Sequence, residues 1–371
     1  MSRWLSSLLS LSLALCVAAG SALAADKPAG LDKSGKPDLK SAGQLTFGPE
    51  GVLFVGDSQG AAIFAIGVPP ASGGKPAGDV KIEGIDAKLA AMLGIEAKDL
   101  RINDIAVQPG SRTVYLSASR GTGPDAEPVI AKVDATGKLG LVSLESVPYS
   151  KVTLTNVPGP GDKDQRGNSR RQESITDLHF ADGKLFVAGL SNEDFTSKLR
   201  AITFPFTEAD KGADIGIYHG AHGKFETQSP VRTFTPFNIG GEPHLLAAYT
   251  CTPLVTVPVS ELKAGAKVKG TTVAELGNMN QPLDIISYEK GGRTFLLLAN
   301  SKRGVMKIST DNIAQQQGIT EPVRGGGTAG LTYDTISNLK GVEHLDKLGD
   351  DYALLLVKTG NGLNLESVPL P

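Results

Sequence analysis

The strongest constraint on the fold is a unit of short apolar strands that the chain repeats. In one such unit, residues 173–206, three apolar runs are separated by a turn and by a polar loop. The first run ends at Asp182 and Gly183, a pair that favours a tight hairpin turn, and the second run follows at once. The third run, residues 199–206, is apolar without strict alternation, as expected of a strand covered on both faces. We therefore predict a small antiparallel sheet for each unit.

The unit occurs six times, and its middle strand is always the most apolar. The spacing is about 50 to 70 residues, and repeats of this length that contain only short strands and turns are typical of a β-propeller. We therefore predict an all-β protein, a propeller of six blades. Seven blades are an alternative, because residues 147–156 contain an extra alternating run, which we assign as an outer strand. The six middle strands begin at Val52, Thr113, Lys184, His244, Thr294 and Tyr352.

One small helix is predicted between the first two blades, in residues 85–100. Apolar residues recur there at helical spacing, at Ile85, Leu89 and Met92. Asp86 can cap the start of this helix. We expect the helix to pack on a face or on the rim of the propeller.

Residues 1–24 have the layout of a secretory signal peptide. Arg3 precedes an apolar core, residues 8–19, and a motif of small residues ends at Ala24. The core is short for a membrane anchor, which needs about 20 apolar residues. We expect a periplasmic or secreted protein that begins near Ala25 and has no membrane span once the signal is removed.

The last repeat has three strands and lacks an outer one. Propellers commonly close by lending a strand from one terminus to the blade made by the other. The leader, residues 25–41, is rich in Pro, Gly and Lys, and it is the segment available as donor. We therefore predict that part of the leader closes the last blade, and that residues 42–371 form one propeller domain.

Composition narrows the range of partners. The formal net charge is −2, with acidic and basic residues interspersed, which argues against binding to nucleic acid or to anionic lipid. Without the signal peptide Cys251 is the only cysteine, so no intramolecular disulfide can form. We expect a monomer that binds a protein or a small-molecule ligand.

Acidic residues recur where the inner strands begin. In a propeller these positions share a face with the loops between second and third strands, and functional residues concentrate on such loops. Carboxylate oxygens suit Ca²⁺, so Ca²⁺ or another divalent cation is a candidate cofactor. The alternative is that each acid caps a turn by accepting backbone N–H bonds. The candidates at this axial mouth are Asn103, Asp104, Asp177, Asp284 and Glu343.

Polar and basic residues end the second strands on the same face. A polar loop, residues 159–172, opens onto it and is predicted to be mobile. Four like charges in one funnel need cations or donors nearby to stay ionised, and the basic residues could supply them. These ligand-face candidates are Arg120, Asn192, Asn300, Lys302 and Arg303.

The phrases NDIAVQPGSRTVYLS and ITDLHFADGKLFVAG resemble blades of NHL-repeat and SMP-30/gluconolactonase-type propellers. The SMP-30-like resemblance implies a divalent metal in the axial mouth and hydrolysis of small esters or lactones. In that family a first-blade glutamate, two asparagines and a late aspartate hold the metal. Asn103 is similar to one asparagine and Asp284 to the late aspartate. Gln44 stands where the family has its glutamate, which removes one charged ligand.

A second constellation lies between the third and fourth blades. His219 and His222 are three residues apart, Glu226 follows closely, and the topology brings Cys251 beside them. Two imidazoles and a thiolate suit Zn²⁺ or copper. The alternative is a glycine-containing turn in which the histidines only form hydrogen bonds, with Cys251 buried as a small hydrophobe.

Catalytic motifs are missing from the sequence. It contains no G-x-S-x-G, no H-E-x-x-H, no P-loop and no C-x-x-C-H. We therefore favour an exported propeller that binds a ligand or protein through its loop-bearing face and is not an enzyme. The alternatives are a metal-dependent hydrolase of esters or lactones and a periplasmic metal-handling or redox accessory protein.

Overall fold

The computed structural model describes residues 28–70 and 80–371. The predicted signal peptide and the first leader residues lie outside this part of the chain. The described residues form six sheets, built almost entirely of antiparallel strands and arranged as blades. This confirms the predicted six-bladed β-propeller.

Short strands and tight turns make up most of the chain. The first strands are β1 (Lys33–Gly35), β2 (Leu45–Phe47), β3 (Val52–Asp57), β4 (Ala62–Gly67) and β5 (Lys81–Ile82), followed by helix α1 (Ile85–Leu93). Next come β6 (Leu100–Val107), β7 (Val114–Arg120), β8 (Glu127–Val133), β9 (Leu139–Leu141) and β10 (Val147–Thr153). The middle of the chain contains β11 (Asp177–Ala181), β12 (Lys184–Leu190), β13 (Ser197–Thr203), β14 (Ala213–His219) and β15 (Lys224–Glu226).

The remaining strands follow in the same manner. They are β16 (Val231–Ile239), β17 (Glu242–Tyr249), β18 (Pro253–Pro258), β19 (Lys267–Lys269), β20 (Thr271–Glu275), β21 (Pro282–Lys290) and β22 (Arg293–Asn300). The last are β23 (Gly304–Ser309), β24 (Ala329–Gly330), β25 (Tyr333–Ile336), β26 (Val342–Leu348), β27 (Tyr352–Thr359) and β28 (Gly362–Pro369). Single 3₁₀ turns occur at Pro49–Gly51, Ala97–Asp99, Gly123–Asp125, Gln172–Ser174, Val259–Glu261 and Ile313–Gln315.

We number the blades by the order of their inner strands along the chain, and give their strands from the axis outward. Blade 1 contains β2, β3, β4, β10 and β1, and blade 2 contains β6 to β9. Blade 3 contains β11 to β15 with β19 beside β14, and blade 4 contains β16, β17, β18, β20 and β24. Blade 5 contains β21, β22, β23 and β25, and blade 6 contains β26, β27, β28 and β5.

Each predicted middle strand is the second strand of a blade, as β3, β7, β12, β17, β22 and β27. The extra alternating run at residues 147–156 contains β10, which pairs with β4. It is therefore an outer strand of blade 1, the fourth from the axis, and the described residues form no seventh blade.

Blade 2 lies between blade 1 and blade 6, out of chain order. Its second strand alternates, because Leu116 packs in a cluster shared with blade 6 and Tyr115 packs in a cluster shared with blade 1. The other face of blade 1 packs on blade 3, where Phe54 and Val187 share a cluster. The order of blades around the axis is therefore 1, 3, 4, 5, 6 and 2.

The predicted closure of the last blade by the leader is wrong. The leader does add a strand, β1, but Lys33 pairs with Tyr149 at the outer edge of blade 1. Blade 6 takes its outer strand from β5, where Ile82 pairs with Leu365. The displaced position of blade 2 explains this, because the chain that leaves blade 1 passes the open edge of blade 6 before it builds blade 2.

Helix α1 lies between the first two blades in the sequence, as predicted, and it packs on the propeller. Ile85 and Leu89 are buried in the cluster that blades 2 and 6 share. The helix begins without a side-chain cap from Asp86 and ends earlier than predicted, at Leu93. Gly94 follows with a φ of 67°, a left-handed conformation that favours glycine and ends the helix. None of the helices within residues 28–70 and 80–371 is long and apolar enough to cross a membrane.

Truncation of Leu89 should destabilise the ring where blade 2 meets blade 6. Leu89 is 0% exposed, so Leu89→Ala leaves a cavity and should lower the free energy of unfolding by about 2 to 5 kcal/mol in urea titrations. Met92, on the same helix, is 46% exposed, and Met92→Ala should change this free energy by about 0.5 kcal/mol or less. Equal effects of the two changes would show that the helix does not contribute to this interface.

Candidate functional site

An axial channel runs between the inner strands of all six blades. Its narrow part is a cavity of about 90 Å³, lined among others by Asp104, Asp177 and Asp284. This volume has room for several water molecules or for an ion with part of its water shell. The structure therefore brings together three of the four acids that the sequence placed at the axial mouth.

Four inner strands carry a β-bulge at the same level, just inside the mouth. The extra residue changes the direction of its neighbours. Asn103 lines the wide mouth, whereas Asp104, the next residue, lines the channel. The extra residues of the four bulges are Asn103, Arg232, Leu283 and Glu343.

Glu343 does not join the carboxylates of the channel. It lines the mouth, where its Oε1 lies 3.5 Å from Nζ of Lys358. His344 and Asp346, which follow on the same strand, line the channel instead. Sequence reasoning chose Glu343 instead of these two residues as the channel ligand, because it did not predict the bulge. The two residues are two positions apart, and this spacing places both side chains on one face of a strand. The spacing is the feature of the sequence from which they could have been predicted.

Each channel aspartate accepts hydrogen bonds from two backbone N–H groups. Asp104 accepts a hydrogen bond from the N–H of Ile105 at 2.8 Å and one from the N–H of Leu45, in blade 1, at 2.7 Å. The other three repeat this pattern, with one donor on their own strand and one on a neighbouring blade. The donors are Leu178 and Phe234 for Asp177, Ile285 and Leu345 for Asp284, and Lys347 and Val107 for Asp346.

These hydrogen bonds give the acids a structural role, which was one of the two alternatives open from the sequence. They join neighbouring blades at the axis. A carboxylate oxygen that accepts one N–H bond still has a second lone pair. The oxygens can therefore also face a cation in the channel.

The channel raises the pKa values of Asp177, Asp284 and Asp346. Burial raises the pKa of Asp177 to about 7 and that of Asp346 to about 6. Burial, with the charges of Asp104 and Asp177, raises the pKa of Asp284 well above its usual value. Four carboxyls in one enclosed channel cannot all ionise easily without a positive partner.

His344 and the acids form a possible ligand set. Its Nδ1 lies 3.3 Å from Oδ1 of Asp104 and 3.9 Å from Oδ2 of Asp284. One ligand atom from each of these three residues lies within 4.8 Å of the others. The set offers two carboxylates and an imidazole, which suit a divalent cation. His179 also lines the channel, and burial lowers its pKa to about 4, so it is neutral at physiological pH.

Above the channel the mouth widens into a cavity of about 1620 Å³. Asn103, Asn300, Lys302 and Arg303 line it, as the sequence placed them. Loop 159–172 also contributes to its wall.

Two ligand-face candidates do not line the mouth cavity. Arg120 pairs with Glu127 at 3.0 Å on blade 2, and the N–H of Asn192 donates to the carbonyl of Asn156 at 3.0 Å. Asn300 lines the cavity, but its side chain is engaged, because it accepts a hydrogen bond from Asn280 at 2.9 Å. Arg303 likewise donates to the carbonyl of Asn278 at 3.1 Å. Asn300 and Arg303 thus hold the loop that contains Asn278 and Asn280.

The mouth has an excess of unpaired basic side chains. Within the described part of the chain, four of them line the cavity and form neither an ion pair nor a side-chain hydrogen bond, whereas Arg232 pairs with Glu173 at 2.8 Å and Arg303 donates to a backbone carbonyl. The wall of the mouth is therefore basic above an acidic channel. The four unpaired basic residues are Arg101, Arg166, Lys302 and Lys340.

The second constellation is assembled between blades 3 and 4. Nδ1 of His219 and Nδ1 of His222 each lie 2.8 Å from one oxygen of Glu226. Burial raises the pKa of Glu226, but these hydrogen bonds have the larger combined effect and lower it to about 2. Cys251, half-buried, lies beside the two rings. The histidines thus form the hydrogen bonds of the second alternative, and they also keep one nitrogen each.

The raised pKa values predict that the protein loses stability as pH rises from about 4 to about 7. The pKa of Asp177 is about 7 in the folded protein against an ordinary 3.8, so its contribution to stability is fully present below 3.8 and lost as pH approaches 7. Asp177→Asn removes this group and should reduce the loss, by up to roughly 1.4 kcal/mol per pH unit, in urea titrations with a chelator present. Asp350→Asn, at a fully exposed side chain, should keep the wild-type profile. An unchanged profile for Asp177→Asn would contradict the assignment.

No known protein family and no curated protein sequence matches this chain. Among solved structures, hydrazine synthase of Kuenenia stuttgartiensis is 10% identical over 90% of this chain and 97% of its own, with a TM-score of 0.38. A putative oxidoreductase (glucose dehydrogenase) of Thermus thermophilus is 11% identical over 91% and 99%, with a TM-score of 0.36. The PQQ-bound aldose sugar dehydrogenase of Streptomyces coelicolor is 13% identical over 91% and 97%, with a TM-score of 0.32. Similarity at this level gives no basis for assigning the activities of those proteins to this chain.

Proposed function

We propose that this protein is an exported propeller that binds an anionic, polar small molecule in its mouth. The observation that carries the proposal is the mouth cavity of about 1620 Å³ with four basic side chains that form neither an ion pair nor a side-chain hydrogen bond among the described residues. Basic groups on the wall of a concave site raise the local concentration of anions and speed their association. Export is supported by the signal-like layout of residues 1–24.

The chemistry of the wall favours a hydrophilic ligand over an apolar one. Most ligand pockets measure about 300 to 1,000 Å³ and are lined mainly by apolar side chains. This mouth is larger, and Arg101, Lys302 and Lys340 stand on its wall among amide and hydroxyl groups. A sugar acid or another polyhydroxy anion offers carboxylate for the basic groups and hydroxyl groups for the rest.

The acidic channel below the mouth gives the ligand an orientation. Negative groups of the ligand are drawn to the wall and repelled by Asp104 and Asp284 at its base. We propose that a divalent cation, most simply Ca²⁺, binds Asp104 and Asp284, and that an ion that accepts nitrogen also binds His344, because the ligand atoms of the three residues lie within 4.8 Å of one another. The cation would reduce the repulsion between the buried carboxylates.

Hydrolysis of an ester or lactone is the second candidate. The observation that favours it is the position of this ligand set at the base of the cavity, where a bound cation would polarise a carbonyl group. We place it second because Gln44 supplies no charge at the mouth.

Calorimetry with matched sugars tests the binding function. Gluconate should bind with saturation, and glucose, which lacks the carboxylate, should bind at least about tenfold more weakly, because a charged hydrogen bond contributes roughly 1.5 kcal/mol or more. The Lys302→Ala/Lys340→Ala variant should lose most of this difference. Lys138→Ala, in the exposed turn between β8 and β9, should bind like the wild type. Citrate and inorganic phosphate extend the probe set, and the proposal fails if no anion binds or if the double variant binds all of them unchanged.

Thermal denaturation tests the cation. At a hundredfold excess over Kd, Ca²⁺ should stabilise the folded protein by about 2.7 kcal/mol and raise Tm. Asp284→Asn removes one charge of the ligand set and should reduce the rise in Tm, whereas Asp350→Asn, at a fully exposed side chain, should preserve it. Turnover of a lactone that depends on the cation would place hydrolysis first, and melting curves unaffected by Ca²⁺, Mg²⁺ and Zn²⁺ would leave the acids with a structural role alone.

A further inference from the structure

A nitrogen and sulfur cluster lies outside the channel, at the outer boundary of blades 3 and 4. His219 ends β14, His222 lies in the turn that follows, and Cys251 lies in the turn between β17 and β18. One ring nitrogen of each histidine and Sγ of Cys251 lie within 4.8 Å of one another. This spacing is close enough for all three atoms to contact one ion.

Glu226 orients both imidazoles. Its two oxygens take up Nδ1 of His219 and Nδ1 of His222, at 2.8 Å each, so the histidines retain Nε2 as the free nitrogen. The rings lie side by side, with centroids 3.8 Å apart and planes inclined by 34°. Carboxylates that accept the N–H of one ring nitrogen commonly orient metal-binding histidines and make the other nitrogen more basic.

His219 has an unpaired nitrogen in the protein interior. Its side chain is 1% exposed, and Nε2 has no hydrogen-bond partner among the described residues. A buried polar atom without a partner is costly and rare in folded proteins. A metal ion bound at this nitrogen would supply the missing partner, since a neutral imidazole nitrogen binds metal through the same lone pair that accepts a hydrogen bond.

Glu275 adds negative charge at the same place. Its Oε1 accepts a hydrogen bond from the N–H of Gly220 at 2.6 Å, and its Oε2 is buried without a partner in the described part of the chain. Gly220 permits this approach, because a Cβ atom there would lie 3.0 Å from Oε1. Two carboxylates, Glu226 and Glu275, thus flank the histidines and favour a cation between them.

We propose that His219, His222 and Cys251 bind a transition-metal ion of the zinc or copper class. Thiolate and imidazole ligands select these ions over Ca²⁺ and Mg²⁺, which prefer oxygen. Coordination replaces the S–H bond of Cys251 by a sulfur–metal bond and releases the proton to solvent. The side chain of His222 is 43% exposed and Cys251 is partly exposed, so water can reach the cluster from the surface. The site therefore suits an ion that exchanges with solvent or with a second molecule.

Co²⁺ is the probe for the experiment, because its thiolate complexes show a sulfur-to-metal charge-transfer band. The purified protein, reduced and freed of metal with a chelator, is titrated under anaerobic conditions. We expect one Co²⁺ per chain with that band. Displacement by Zn²⁺ would identify a zinc site, and displacement by Cu⁺ without displacement by Zn²⁺ would identify a copper site.

Variants separate this cluster from other metal-binding groups. Cys251→Ser should abolish the charge-transfer band and weaken binding at least about tenfold, as expected when a thiolate ligand is lost, and His222→Ala, at an exposed side chain, should weaken binding without unfolding the protein. His244→Ala, outside the cluster, and His344→Gln, in the channel, should keep both the band and the affinity. Binding of Co²⁺ without the band, or with a band that Cys251→Ser leaves intact, would overturn the proposal, as would the absence of saturable binding.

Discussion

The fold depends on the burial of both faces of each blade against its neighbours. In β12, Val187 packs toward blade 1 and Phe186 toward blade 4, and the second strands of the other blades alternate in the same way. Burial of one large apolar side chain contributes about 1.5 to 3 kcal/mol, so a blade with an uncovered face would lose many such contributions at once. The ring must therefore close, whatever route the chain takes.

The route taken here is indirect. Blade 2 fills the gap between the last blade and the first, and β5 and α1 seal its boundary with blade 6. After blade 2 the chain forms β10, which pairs with β4 in blade 1. Segments that precede and follow blade 2 in the sequence therefore add strands to the two blades beside it. The ring is thus closed by several packed interfaces, whereas closure by one terminal strand would depend on a single edge.

Local patterns in the sequence predicted much of this structure, and long-range choices could not be predicted. The six second strands and the turn at Asp182 depend on neighbouring residues alone. The order of the blades depends on which apolar face fits which, so the sequence did not reveal that Leu116 packs on blade 6. The position of the donor strand β5 follows from that order and was missed for the same reason.

In the candidate sites, too, local features could be predicted from the sequence and long-range features could not. Asp104, Asp177 and Asp284 could be predicted together because each stands at the start of an inner strand. The direction of Glu343 could not, since one extra residue in a bulge turns a side chain from the channel to the mouth. The hydrogen bonds of His219 and His222 to Glu226 could not be predicted either, because the sequence does not show which way two imidazoles point.

Strand direction explains why both candidate sites lie at one end of the propeller. Inner strands begin at the mouth, so second and fourth strands end there, and this is where β17, β14 and β20 bring Cys251, His219 and Glu275. Thr250, next to Cys251, lines the mouth cavity and accepts a hydrogen bond from Arg232 at 3.1 Å. The turn between β17 and β18 thus forms part of the cavity wall and also carries the sulfur atom of the cluster. The two sites differ in ligand chemistry, with two carboxylates and an imidazole at the axis and two imidazoles and a thiol at the blade boundary, so the ions that we propose for them belong to different classes although the sites share one face.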